Sequence, residues 1–188
     1  MTRAIACLMV AAFAICTTAA SAEDFDTRDT MDFSLNFKPG ANPIPRETVN
    51  FQGSYAPGTI VVNTAERRLY LVLPNGQALK YGIGVGRDGF RWGGTHRITA
   101  KKEWPSWTPP AQMIARRPDL PRHMKGGIDN PLGARAMYLG STLYRIHGSN
   151  EPETIGQAVS SGCFRMTNDD VKDLYDRVPV GTTVIVKN

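Results

Sequence analysis

From residue 59 onward the chain alternates short β-rich runs with turn residues, and this rhythm limits the fold more than any other feature. "TIVVN" (59–63) and "RLYLVL" (68–73) are separated by a short polar turn, the pattern of a hairpin. Pro74-Asn75-Gly76 turns the chain into "QALKYGIGVG" (77–86), a third strand that frays into glycines, and "THRITAKKEW" (95–104) reads as a fourth. Further strands are predicted over 134–139, 143–147 and 182–187. Helical signals are fewer. Residues 112–117 suit a short helix, whereas Thr167 with Asp170 three residues on makes a capping pattern ahead of a longer one. Val171, Leu174, Tyr175 and Val178 then fall on one face at helical spacing, and Pro179 and Gly181 stop the run. The fold expected is mostly β with one or two helices, free of internal repeats.

The N-terminus fixes a compartment. Arg3, the apolar run 4–15 and the small residues Ala20, Ser21 and Ala22 read as a secretory signal cleaved after Ala22. That run is shorter than the ~20 apolar residues of a membrane span, so the expectation is export to the periplasm with no span after signal cleavage. Residues 23–55 read as an irregular arm, because "KPGANPIPRE" (38–47) carries three prolines and a glycine. The globular domain is expected over 56–188. The formal net charge of +5 comes from basic residues scattered along the chain, and a nucleic-acid partner would demand a clustered patch.

Cys7 and Cys16 leave with the signal, so Cys163 stands alone. An unpaired cysteine in an exported protein is an intermolecular bridge, a buried small hydrophobe or a working thiol. Its setting favours the last. Cys163 ends the turn Ser160-Ser161-Gly162, whose successive amides can converge on a developing oxyanion. A thiol also needs a base, and His147, followed by Gly148, ends a predicted strand sixteen residues upstream. Arg145, alternating with Tyr144 and Ile146, reads as a solvated strand residue. His96 and His123 read as surface or loop histidines. No resolving cysteine accompanies Cys163 for thiol redox chemistry, and no closely spaced ligand set suggests zinc. No metal or cofactor is therefore expected.

"IHGSN" (146–150) and "SSGCFRM" (160–166), with "IGQAVSSG" between them, resemble the signature of the YkuD-type L,D-transpeptidases of bacterial cell walls. The matching positions are His147-Gly148, then Ser160-Ser161-Gly162-Cys163, Phe164 and Arg165. "GFRWGGTHRI" and "EWPSWTPP" are similar to Gram-negative members, and Ser161 stands where many members have histidine. The resemblance implies a YkuD-type, β-sandwich-like catalytic domain. It implies that Cys163 attacks the bond between diaminopimelate and D-alanine in a peptidoglycan stem peptide, and that His147 moves the proton. It further implies that the Gly148 carbonyl orients His147, that the amides of Gly162 and Cys163 form the oxyanion hole, and that carbapenems acylate the thiol. Arg165, with Ser160 and Ser161, is the expected substrate-binding set, with an ion pair to Asp169 or Asp170 as the other reading of Arg165. Trp104 and Trp107 are expected to pack on the domain or wall the cleft, and the loop 121–133 is where a lid is expected. The acceptor stays open among a diaminopimelate amine, an envelope-protein amine, a D-amino acid and water, as does a non-catalytic wall-binding module.

Overall fold

The computed structural model describes residues 42–188. The signal read over 1–22 and the arm up to residue 41 lie outside them. The chain enters as β1 (Glu47–Asn50) and then forms a meander of β2 (Ile60–Asn63), β3 (Arg68–Val72) and β4 (Gln77–Gly82). β1 returns to the outer edge of β4, with Glu47 opposite Lys80 and Asn50 opposite Gln77. That corrects the expectation of an irregular arm for residues 47–50. The strand forms because β4 offers a free edge, which no local propensity of "ETVN" announces. Arg46 secures the approach, bonding Asp170 at 3.3 Å and Asp173 at 3.2 Å.

Beyond β4 the predicted third strand breaks at Ile83-Gly84, and β5 (Val85–Gly86) pairs elsewhere. β6 (Gly94–Glu103) is the longest strand. Then come the short α1 (Ala111–Arg116), β7 (Arg135–Leu139), β8 (Arg145–His147), a 3-10 turn (Pro152–Thr154), β9 (Ala158–Ser160) and β10 (Phe164–Arg165). α2 (Asn168–Arg177) and β11 (Thr183–Lys187) complete the domain. The main sheet has the order β1-β4-β3-β2-β11-β6-β7-β8-β10, and β5 with β9 makes a small parallel ladder.

β6 divides the sheet into two halves. Its first residues pair with β11 and its later ones with β7, with a register shift between Ile98 and Ala100. Such an irregularity bends a strand, and the sheet curls until Gly84 and Arg165 exchange backbone hydrogen bonds of 2.9 Å. One core fills the space between the halves. Ile60, Val62, Leu69 and Leu71 line it from one side and Met137, Leu139, Ile146 and Phe164 from the other. α2 adds Val171, Leu174 and Val178. Thr167 caps this helix by accepting the Asp170 N–H at 3.2 Å, and Asp169 at its start with Arg177 at its end complement the helix dipole. The sandwich-like, mostly β expectation holds, with two helices.

Candidate active site

β8 and β10 lie side by side and parallel, with Phe164 opposite Ile146 and Arg165 opposite His147. Side chains alternate across a strand. Ile146 and Phe164 point into the core, where they are 0% and 1% exposed. Arg145, His147, Cys163 and Arg165 therefore share the opposite face. This register brings the sequence-distant thiol and imidazole onto one surface, as the motif spacing requires. It also places Arg145 beside them, where the alternation pattern alone had suggested a solvated residue.

His147 is held from several directions. Its carbonyl accepts the Met166 N–H at 2.8 Å, and the next amide, Gly148 N–H, donates to Arg135 O at 3.0 Å. Nδ1 lies 2.6 Å from the Gly148 carbonyl. A carbonyl only accepts, so Nδ1 carries the hydrogen and Nε2 is left with its lone pair. A side chain at Gly148 would collide with Asn168 Oδ1, which takes the Ala134 N–H at 2.8 Å. Burial drives the imidazole pKa down to about 3, against the Gly148 hydrogen bond, and the charges of Arg165 and Arg145 add to the fall. His147 is thus a neutral base near pH 7.

Burial also pushes the Cys163 thiol up, while Arg145, through its charge and its donors, and then Arg165 oppose the rise. The half-buried sulfur lies 3.9 Å from Leu143 O. The resting pair is a neutral thiol beside a neutral imidazole. Proton removal then has to accompany attack, which suits general-base chemistry.

The turn ahead of the thiol is strained and stapled. Gly162 has φ +108° and sits against the Tyr144 ring, so a side chain there is excluded on both counts. Ser160 Oγ accepts the Gly162 N–H at 3.1 Å and donates to Cys163 O at 2.6 Å. Two expectations change as a result. The Ser160 hydroxyl is buried and engaged in the turn, not presented to a substrate. The Gly162 amide already has a partner in Ser160 Oγ, whereas among the described residues the Cys163 amide has none. Ser161 is half-buried.

A missed residue orients that amide. Trp92 Nε1 donates to the Gly162 carbonyl at 2.6 Å, and its ring stacks on Tyr144 with centroids 4.3 Å apart and planes 6° apart. A trans peptide is planar with C=O and N–H opposed, so anchoring the Gly162 oxygen on Trp92 aims the Cys163 N–H the other way. The available signal was a tryptophan in the Gly-rich stretch "GFRWGG", with no strand pattern to account for it.

Arg165 forms an ion pair, but with Glu151 at 2.7 Å, not with Asp169 or Asp170. Asp169 faces Lys172 and Asp170 faces Arg46. Trp104 is 43% exposed, so it does not pack on the domain as expected. Trp107 is half-buried and bridges Met124 through its backbone. The His96 Nε2 is buried without a partner, against the surface reading, and its ring meets Trp92 edge-on at 4.9 Å. His123 is exposed, with Nδ1 3.1 Å from Thr108 Oγ1. The loop 121–133 is stitched by buried Asn130, whose side chain bonds Lys125 O at 2.8 Å and the Leu132 N–H at 2.9 Å. Asn150 ties it to the site side through Asp129 O at 3.1 Å.

The family described as L,D-transpeptidase catalytic domain (YkuD) matches residues 57–186. The probable L,D-transpeptidase ErfK/SrfK of Escherichia coli K12 is 43% identical over 134 residues, 66% of this chain and 42% of that protein. The chain thus spans under half the length of that relative. A solved L,D-transpeptidase from Mycobacterium smegmatis shares the fold at TM-score 0.56 and 20% identity, covering 69% of this chain and 58% of that one. A Brucella melitensis structure, named as a probable carnitine operon oxidoreductase, is 48% identical at TM-score 0.52, covering 77% of this chain and 94% of that one. On the family match and the shared fold together, this chain belongs to the YkuD family of L,D-transpeptidase catalytic domains.

Proposed function

We propose that this protein is an exported, periplasmic L,D-transpeptidase that takes peptidoglycan tetrapeptide stems as acyl donors. The observation that carries the reading is the β8–β10 register, which sets Cys163 and a base-form His147 on one face. As the Cys163 sulfur attacks the carbonyl of the third stem residue, a diaminopimelate, His147 Nε2 takes the thiol proton. A carbon–sulfur bond forms, and the negative charge gathers on the carbonyl oxygen facing the Cys163 amide. Collapse breaks the bond to D-alanine, whose nitrogen receives the proton from His147. The thioester is then transferred to an amine, with His147 taking and returning a proton once more.

Water as acceptor makes the same site an L,D-carboxypeptidase, and an amine on an envelope protein makes it a tethering enzyme. The oxidoreductase activity named for the Brucella chain does not carry over. Thiol redox exchange works through a second thiol, and the described residues hold Cys163 alone.

The test is mass spectrometry of products from a purified disaccharide-tetrapeptide ending in diaminopimelate–D-alanine, with wild type and Cys163→Ala in parallel. A cross-linked dimer lacking one D-alanine, formed only by wild type, is the expected product. Tripeptide monomer alone assigns the carboxypeptidase reading. Activity retained by the alanine variant refutes the mechanism, and no product from wild type leaves a wall-binding module.

A further inference from the structure

Two arginines, Arg145 and Arg165, share the thiol's face of the strand pair, and one is neutralised: Arg165 pairs with Glu151 at 2.7 Å. Among the described residues Arg145 forms no ion pair. Its guanidinium lies 5.3 Å from the Tyr138 ring centroid, and its Nε is buried with no hydrogen-bond partner. A half-buried guanidinium with no counter-ion is costly to keep, and this one is fixed in place by an aromatic face before any anion arrives. Its position is equally specific. Cys163 directly precedes β10 and Arg145 opens the paired β8, and Arg145 is near enough for its charge and donors to act on the thiol. The thiol does not supply the missing negative charge, because burial holds it protonated.

We propose that Arg145 reads the carboxylate adjacent to the reacting nitrogen: first that of the departing D-alanine, then that of an entering α-amino acid. The inference rests on the transpeptidase reading and deepens it. In the donor, the D-alanine carboxylate is two bonds from the nitrogen that leaves, so it lies close to the sulfur during attack. The distal carboxylate of diaminopimelate sits at the far end of that residue's side chain, away from the scissile carbonyl. Leaving group and acceptor occupy the same place in the two half-reactions, so one guanidinium serves both. A planar fork grips a carboxylate through two parallel hydrogen bonds, which lysine cannot reproduce. Arg145 is therefore a specificity residue that favours a tetrapeptide over a longer stem, and an acceptor amine bearing its own carboxylate over a bare amine.

The experiment compares acylation by three donors: the disaccharide-tetrapeptide, the same donor ending in D-alaninamide, and one amidated at the distal diaminopimelate carboxylate. Wild type is expected to prefer the free acid over the D-alaninamide donor by on the order of 10- to 100-fold in kcat/KM, the range for a hydrogen-bonded charge. Arg145→Gln is expected to collapse that ratio toward one by losing rate on the free acid. Arg145→Lys should retain part of it, and distal amidation should leave the ratio unaffected. Exchange of labelled D-alanine into the donor, against labelled D-alaninamide, should show the same discrimination and the same loss. A wild-type ratio near one, or an Arg145→Gln loss equal on all donors, overturns the proposal, as does discrimination that follows the distal carboxylate. If wild type forms no acyl-enzyme with any donor, the transpeptidase reading itself fails.

Discussion

At the scale of single residues, the site is built by backbone bonds more than by side-chain pairs. His147 gains its tautomer from a carbonyl one residue away, and Cys163 gains the direction of its amide from an indole that holds the peptide before it. The Trp92 bond is the part open to mutation, because a backbone donor cannot be deleted directly. Trp92→Phe keeps the ring on Tyr144 and loses the hydrogen bond to Gly162 O. We expect kcat to fall by roughly 10-fold or more with KM little changed, below the ~10²–10³ of removing an oxyanion donor outright. Steady-state kinetics with the tetrapeptide donor check it, and an unchanged kcat removes Trp92 from the mechanism. Cys163 and His147 were singled out by their residue types and the His-Gly and Gly-Cys spacing, and the fold brings their two strands side by side. Trp92 was not, because it acts through a carbonyl, and no side-chain pattern encodes which carbonyl an indole will meet. Arg145 is an intermediate case. Residues two apart on a strand share a face, so its place beside His147 was implicit, but its lack of a counter-ion among the described residues depends on the fold.

At the scale of elements, α2 follows the motif directly and steadies it. Met166 bonds His147, Thr167 caps the helix, and Asn168 occupies the space that Gly133 and Gly148 leave open. Thr167→Ala should cost about 1 kcal/mol, the usual loss for a cap, because the N–H of buried Asp170 loses its partner. Chemical denaturation measures this, and a variant as stable as wild type would show that the cap contributes nothing. This helix was readable because its cap, apolar face and stop signals are all local. β9 and β10, of three and two residues, were not. Strands that short have too few positions to show a period, and they form only because β5 and β8 are there to pair with them.

At the scale of the whole molecule, the curled sheet buries the His147 imidazole. His147 is 4% exposed, and its folded pKa of about 3 lies below the ordinary 6.5. The unfolded chain therefore binds a proton more readily than the native one between those values. Stability from this group is fully present above pH 6.5 and is lost as pH falls toward 3, at a limiting rate of about 1.4 kcal/mol per pH unit. Between pH 6.5 and 5, above most carboxylate titration, the melting temperature of wild type should fall faster than that of His147→Asn, which cannot charge. Parallel curves for the two proteins would contradict the burial argument.

The sequence by itself determined what local chemistry can specify. That covers the alternating strands, the capped helix, the glycines beside the histidine and the cysteine, and the thiol–imidazole pairing that the family motif implies. Only the tertiary structure decided which groups are free to act. Sheet closure gave Arg165 a counter-ion in Glu151 and, among the described residues, left Arg145 without one. The turn committed Ser160 and the Gly162 amide to each other, and a free sheet edge made residues 47–50 a strand. The physical reason is that pairing is a property of neighbours. Charge, hydrogen-bond capacity and strand edges are all present in the chain, but which of them are satisfied depends on segments brought together from far apart.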